Sequence, residues 1–258
     1  MLGQGTAALE AAPRHWLQRF WGVPDIHARQ KWAAIWPHLV ALPPDGLRVL
    51  DAGCGDGRWA LEFAARRPGW CVVGVDRDAA AISRAEAARD RLQLSNASFV
   101  VGDFRGVCFS SGFDVVLSIA SAHYLAAAGE GPPLFRSFAA WLRPQGLLCL
   151  LGPRSQATSP FSSKLPHPTW HEVFSEEELL TMCRDAGLRV DVLRGCIGTA
   201  AILAKQLAWA ASTRPGALRA LLYPLEWAMT VADRTRTVNR GITLMWILTA
   251  RRSPCLPS

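Results

Sequence analysis

From residue 47 to residue 153, short apolar runs alternate with stretches whose apolar residues recur at helical spacing. The runs predict strands over Leu47–Ala52, Trp70–Asp76, Ser98–Gly102, Phe113–Ile119 and Gly146–Leu151, with helices near 57–67, 78–92 and 132–142. Strands separated by helices describe a parallel α/β sheet. Asp78 is suited to cap the second helix. Arg143-Pro144-Gln145-Gly146 breaks the chain before the fifth strand. Further on, Ser175-Glu176-Glu177-Glu178 forms a capping box for a helix that ends at Gly187. Arg189–Arg194 and Gly241–Ala250 read as a sixth and a seventh strand.

Two stretches fall outside this rhythm. Pro13–Pro43 carries Trp16, Trp21, Trp32 and Trp36 and predicts one or two amphipathic helices, so residues 1–46 form an N-terminal helical cap. Residues 197–240 are too long for a hairpin and have helical periodicity of their own, with Leu203, Leu207, Trp209, Leu218 and Trp227. They read as a helical insert within a main domain spanning 47–258.

Composition narrows the class. Half of the 258 residues are apolar and 19% are charged, enough apolar chain for one large ordered domain with a sizeable core. The opening Met1–Pro13 lacks a basic cluster and does not resemble a signal peptide. The strongly apolar windows 220–232 and 241–250 are too short or carry charge, so no spanning helix is expected. Seven scattered cysteines without a Cys-x-x-Cys pair fit reduced thiols in a cytoplasmic protein. The net charge of +7 is uneven: residues 1–150 hold 15 bases against 13 acids, and residues 151–258 hold 13 against 8. The basic end is either a solvated Arg-rich helical face or a surface for peripheral contact with an anionic membrane.

Chemistry concentrates where the predicted strands end. Asp51-Ala52-Gly53-Cys54-Gly55-Asp56-Gly57 joins the first strand to the first helix. Glycines there allow positive φ and close approach of a ligand to the backbone, and free helix N–H groups favour an anion. Ligands of such sheets bind outside the carboxyl ends of the strands. Those ends carry Asp76-Arg77, Gly102-Asp103-Phe104 and Ser118-Ile119-Ala120. An acid ending strand two can accept from both ribose hydroxyls. Asp103 can accept from an exocyclic amine, and Arg77 and Phe104 can bracket a flat base. The inventory describes a site for an adenosine with something attached.

Residues 28–153 resemble the class I S-adenosylmethionine-dependent methyltransferases, in particular the small-molecule, type 11-like branch. The resemblance rests on Asp51-x-Gly53-x-Gly55-x-Gly57, Asp76, Gly102-Asp103, Phe113-Asp114-Val115-Val116 and Leu142-Arg143-Pro144-x-Gly146. Gln145 departs from it, standing where the family usually has glycine. The resemblance implies a Rossmann-like, seven-stranded, mostly parallel α/β sheet flanked by helices, with the last strand inserted antiparallel. It also implies S-adenosyl-L-methionine as cofactor. The loop from Asp51 through Ala52, Gly53, Gly55 and Gly57 would carry the methionine end and Asp76 the ribose. Gly102, Asp103, Phe104 and Arg77 would surround the adenine, and backbone near Ser118 would face the methionine moiety. A dehydrogenase would instead show Gly-x-Gly-x-x-Gly.

Methyl transfer needs mainly an acceptor held in line with the S–CH₃ bond. Where the acceptor must lose a proton, His123 is the best-placed base, although such a histidine more often packs. Tyr124 beside it, and Arg154 and His171 in the loop 152–174, are candidate acceptor contacts. His167 and His171 are four apart, but Pro166 and Pro168 disfavour the helix that would pair them, so no metal is expected. Nothing resembles a nucleic-acid module, and Ser118-Ile119-Ala120-Ser121 cannot do the work of an Asn-Pro-Pro-aromatic motif. The expected partner is a small molecule. Apolar and aromatic residues in the cap and insert suit a lipophilic or aromatic acceptor, or serve only as packing. The alternative from another class is a non-catalytic protein of this fold that binds the cofactor or acts as a scaffold.

Overall fold

The computed structural model describes residues 26–103, 109, 112–125, 129–153, 174–198 and 243–254. Trp16, Trp21, Phe104, Arg154, His171 and nearly all of the helical insert lie outside these residues, as does the basic stretch after Lys205. In chain order the elements are α1 (Ile26–Leu39), β1 (Asp45–Ala52), α2 (Arg58–Arg66), β2 (Gly69–Asp76), α3 (Ala79–Leu92), β3 (Ala97–Val101) and β4 (Phe113–Ile119). They continue with α4 (Gly131–Trp141), β5 (Leu142–Pro153), α5 (Glu176–Asp185), β6 (Leu188–Gly198) and β7 (Thr243–Arg252).

The strands form one seven-stranded sheet in the order β3-β2-β1-β4-β5-β7-β6. The pairs from β3 through to β5 are parallel, and β7 lies antiparallel between β5 and β6. A parallel strand covered by helices on both faces must be apolar on both. β1 meets this with Val49, Leu50 and Ala52, all fully buried. Alternate residues feed two cores. Val49, Leu117, Cys149 and Ile247 pack with α1, α2 and α3, whereas Leu50, Val116, Leu148 and Leu248 pack with α4 and α5.

Helix starts are set locally. Asp78 accepts from the amides of Ala80 and Ala81 at the head of α3. Ser175 and Glu178 close a reciprocal capping box at α5. The Glu178 carboxyl is held below its ordinary pKa by the hydrogen bond from the Ser175 amide.

The turn expected at Arg143–Gly146 is not a break before β5. The strand begins at Leu142 and absorbs those residues as a bulge, because Phe113 pairs with Leu142 while Val115 pairs with Leu147. Pro144 has no N–H for the ladder and Gln145 sits at φ 65, so the pairing must skip there. Gln145 thus occupies a conformation that favours glycine, which is the backbone reason for glycine at this turn.

The N-terminal tryptophans that the structure describes serve packing. Trp32 and Trp36, one turn apart on α1, stack at 4.8 Å, and Trp32 stacks on Phe63 of α2 at 5.2 Å. Arg66 lies 4.6 Å over Trp32, and Arg67 lies 5.2 Å over Trp36. Arg67 donates to the Val40 carbonyl and the Trp70 indole to the Pro43 carbonyl. Trp70 is the second residue of β2, so the end of α1 is fixed at the amino edge of the sheet. The start of α1 therefore lies toward the carboxyl edge.

Phe99 of β3 wedges between two glycines. A Cβ on Gly57 would come within 2.7 Å of both Ala85 and the Phe99 ring, and one on Gly74 within 2.6 Å of that ring. We predict that Gly74→Ala costs about 1–3 kcal/mol by overpacking. Phe99→Leu in the same chain should recover part of that loss. Denaturant unfolding checks this, and strictly additive losses would rule out the overlap.

Candidate cofactor and active site

β1 and β4 run side by side only as far as the pair Asp51 and Leu117. Beyond it they part. The amides of Gly53 and Cys54 both donate to the Val75 carbonyl on β2, while the Ala120 amide donates to Leu151 on β5. A crevice therefore opens between β1 and β4, where the strand order reverses and where such sheets bind ligands.

The glycine loop lines one side of this crevice. Gly53, Gly55 and Gly57 have φ of 78, 56 and 76°, the left-handed region that L side chains avoid. A Cβ on Gly55 would meet nothing within 4 Å, so the loop presents bare backbone to open space. Gly57 also caps α2 without a side-chain hydrogen bond, which leaves the helix-start amides for a ligand or for Asp51.

Two carboxylates define the electrostatics. Asp51 is 1% exposed, and neither oxygen has a partner at hydrogen-bonding geometry. Burial pushes its carboxyl up to about 7, against the Ala60 N–H and with help from the negative charge of Asp76. Asp76 is half-buried and already at work: Oδ2 accepts from the Gly55 amide at 2.7 Å and Oδ1 from the Asp78 amide at 3.0 Å. Its own carbonyl accepts from Gly102 at 2.9 Å. One residue thereby ties the glycine loop, the head of α3 and the end of β3 together. A carboxylate has about four acceptor positions, so capacity remains for two hydroxyls.

Asp103 is half-buried beside Gly102, and Arg77 is exposed at the head of α3. Ser118 is buried at the end of β4. Its Oγ accepts from the Ala122 amide at 3.2 Å and lies 2.6 Å from Ser121 Oγ, which donates to the Ala52 carbonyl at 2.8 Å. His123 is buried in a 3₁₀ turn over Ala122–Leu125. Tyr124 belongs to the same turn. Cys54 in the loop is a buried thiol whose pKa is pushed far up by burial and by the neighbouring carboxylates, so it stays protonated. Among the described residues no group of three or more His, Cys, Asp or Glu could hold a metal. No helix among them is long and apolar enough to cross a membrane.

Two residues escaped the sequence reading. Ser121 bridges the crevice, a role visible only once β1 and β4 are neighbours. Gln30, near the start of α1, is 6% exposed with an unpartnered Oε1 on the carboxyl-edge side. Its signal, a lone glutamine among apolar helix residues, is too weak to single it out from sequence.

The arrangement suits an elongated, cationic, adenosine-bearing ligand. An orphaned buried carboxylate faces positive charge best, bare backbone admits close contact, and a half-used carboxylate can take a diol.

Residues 49–146 match the family model described as a methyltransferase domain. The chain is 39% identical over 106 residues to the cypemycin N-terminal methyltransferase of a Streptomyces species, covering 40% of this chain and 41% of that protein. It is 34% identical over 134 residues to trans-aconitate 2-methyltransferase of Deinococcus radiodurans, covering 50% and 48%. The chain thus spans less than half the length of these curated relatives. Among solved structures it resembles geranyl diphosphate C-methyltransferase from Streptomyces coelicolor, bound to S-adenosyl-L-homocysteine. That match has a TM-score of 0.62 at 19% identity and covers 95% of this chain and 87% of that one.

Asp51 generates a pH prediction. Its folded pKa of about 7 exceeds the ordinary 3.8, so the folded state holds the proton more tightly than the unfolded state. The ligand-free protein should lose this contribution as pH rises from about 4 to about 7, with no further loss above. Asp51→Asn should therefore gain stability over the wild type progressively across that window. Urea unfolding at a series of pH values checks it, and a difference that stays flat or shrinks with rising pH would contradict it.

Proposed function

We propose that this chain is a class I S-adenosylmethionine-dependent methyltransferase that methylates a small, lipophilic or aromatic acceptor, a reading supported by the match of residues 49–146 to a methyltransferase domain. The observation that carries the donor half is the crevice between β1 and β4, with Asp51 orphaned beneath it and Asp76 at its side. In this reading Asp51, Ala52, Gly53, Gly55 and Gly57 take the methionine end and Asp76 the ribose hydroxyls. Asp103 and Gly102 with Arg77 and Phe104 enclose the adenine, and Ser118 stands at the methionine side. S-adenosylmethionine, the cofactor of this family, supplies an activated methyl group. The chain's own residues bind its ends, orient them and exclude water.

The acceptor is read from weaker signals. The cypemycin and trans-aconitate enzymes are named for non-nucleic acceptors, and the geranyl diphosphate enzyme for a prenyl one. Ribosomal RNA and tRNA methyltransferases also match, so the fold alone does not choose. The apolar residues of the inserted stretch favour the lipophilic class. The start of α1 at the carboxyl edge supports residues 1–46 acting as a cap beside the site. Buried His123 acts in packing unless the acceptor needs a base; Tyr124, Arg154 and His171 are the acceptor contacts of this reading.

Calorimetric titration with S-adenosylmethionine tests the donor half. Wild type should bind, and Asp76→Ala should weaken binding at least tenfold through two lost hydroxyl contacts. Absent wild-type binding would refute the donor site; unchanged affinity in the variant would refute the ribose assignment. The cationic ligand should also lower the Asp51 pKa from about 7, so binding near that pH releases a proton. Titrations in buffers of differing ionisation enthalpy read this release, and Asp51→Asn should abolish it. A radiolabelled methyl donor offered with lipophilic phenols, acids and amines then tests transfer.

A further inference from the structure

We propose that Ser121 is a positioning residue that clasps the two sides of the crevice and aims the Ala52 carbonyl at the ammonium of the donor's amino-acid end; this rests on the donor-site reading above. The strands have already separated at this level, since β1 leans on β2 through Gly53 and Cys54, and β4 leans on β5 through Ala120. The described side-chain bond spanning the gap is Ser121 Oγ to the Ala52 carbonyl, 2.8 Å long between residues 69 apart in sequence.

The direction of the hydroxyl protons in this chain of contacts follows from its last acceptor. A carbonyl only accepts, so the single Ser121 proton goes to Ala52. The 2.6 Å contact between the two serines must then carry the Ser118 proton toward Ser121. Ser118 Oγ in turn accepts the Ala122 amide. The relay therefore runs one way, from the amide of Ala122 through Ser118 and Ser121 to the carbonyl of Ala52. A one-way chain polarises each member and fixes both rotors, and the carbonyl keeps a second lone pair for a ligand.

The backbone bears a cost at this point. Ala120 has φ 58, a left-handed conformation that strains a non-glycine residue. That turn stands between the last residue of β4 and Ser121, and it sends the chain back toward β1. Strain immediately before a bridging hydroxyl is what a device for placing that hydroxyl requires. Ser118 serves the same end from the strand.

Two neutral thioethers separate this role from a merely structural one: S-adenosylhomocysteine carries the amino-acid end, and 5′-methylthioadenosine lacks it. Calorimetry on the full chain should show Ser121→Ala binding S-adenosylhomocysteine about tenfold more weakly. Its affinity for 5′-methylthioadenosine should be unchanged. Ser121→Thr, which keeps the hydroxyl, should restore most of the lost affinity and provides the readout if the alanine variant does not fold. Equal weakening toward both ligands, or none toward either, overturns the clasp. A wild type that binds neither overturns the donor-site reading and the clasp with it.

Discussion

The structure depends on one geometric constraint: two parallel strands that pair through Asp51 and Leu117 must then part company. β1 continues as a loop bound to β2, and β4 continues as a turn bound to β5. Every unusual feature nearby follows from that parting. Three successive positive-φ glycines bend one side, a left-handed alanine bends the other, and a buried acid remains at the bottom of the gap.

The sequence showed much of this because parallel sheets write themselves plainly. Strands buried on both faces are unbroken apolar runs, and Val49-Leu50, Val115-Val116-Leu117 and Leu147–Leu151 could not be mistaken for amphipathic helices. The end of each run then located Asp51, Asp76, Gly102 and Ser118. What stayed illegible was anything that depends on which strand lies next to which. Nothing in the residues around Ser121 discloses that its hydroxyl meets a carbonyl 69 positions away. Likewise, Phe99 reads as one more core aromatic until Gly57 and Gly74 are seen on either side of it. The bulge at Pro144-Gln145 resembles an interruption because a missing N–H and a positive φ look the same in sequence whether a strand stops or merely skips.

Stability and binding are set against each other at Asp51. A carboxyl this deeply buried weighs against the folded state when ionised. The fold tolerates it because the surrounding sheet is covered on both faces by two separate cores. A positive charge placed beside the carboxyl would pull its raised pKa back down. Asp76 shows the opposite arrangement. Its oxygens already accept from two backbone amides, so it organises the loop before any ligand arrives.

The antiparallel placement of β7 gives the chain a place for change that costs the sheet nothing. β6 runs with β5, and β7 runs back between them. The connection from Gly198 to Thr243 therefore leaves from and returns to one edge of the sheet, the edge where the crevice opens. Had β7 been parallel, the intervening chain would have had to cross to the far edge, and its length would have been tied to that span. A segment whose two roots lie side by side at one edge is free of that tie. It can be lengthened, shortened or exchanged while every strand register beneath it stays the same.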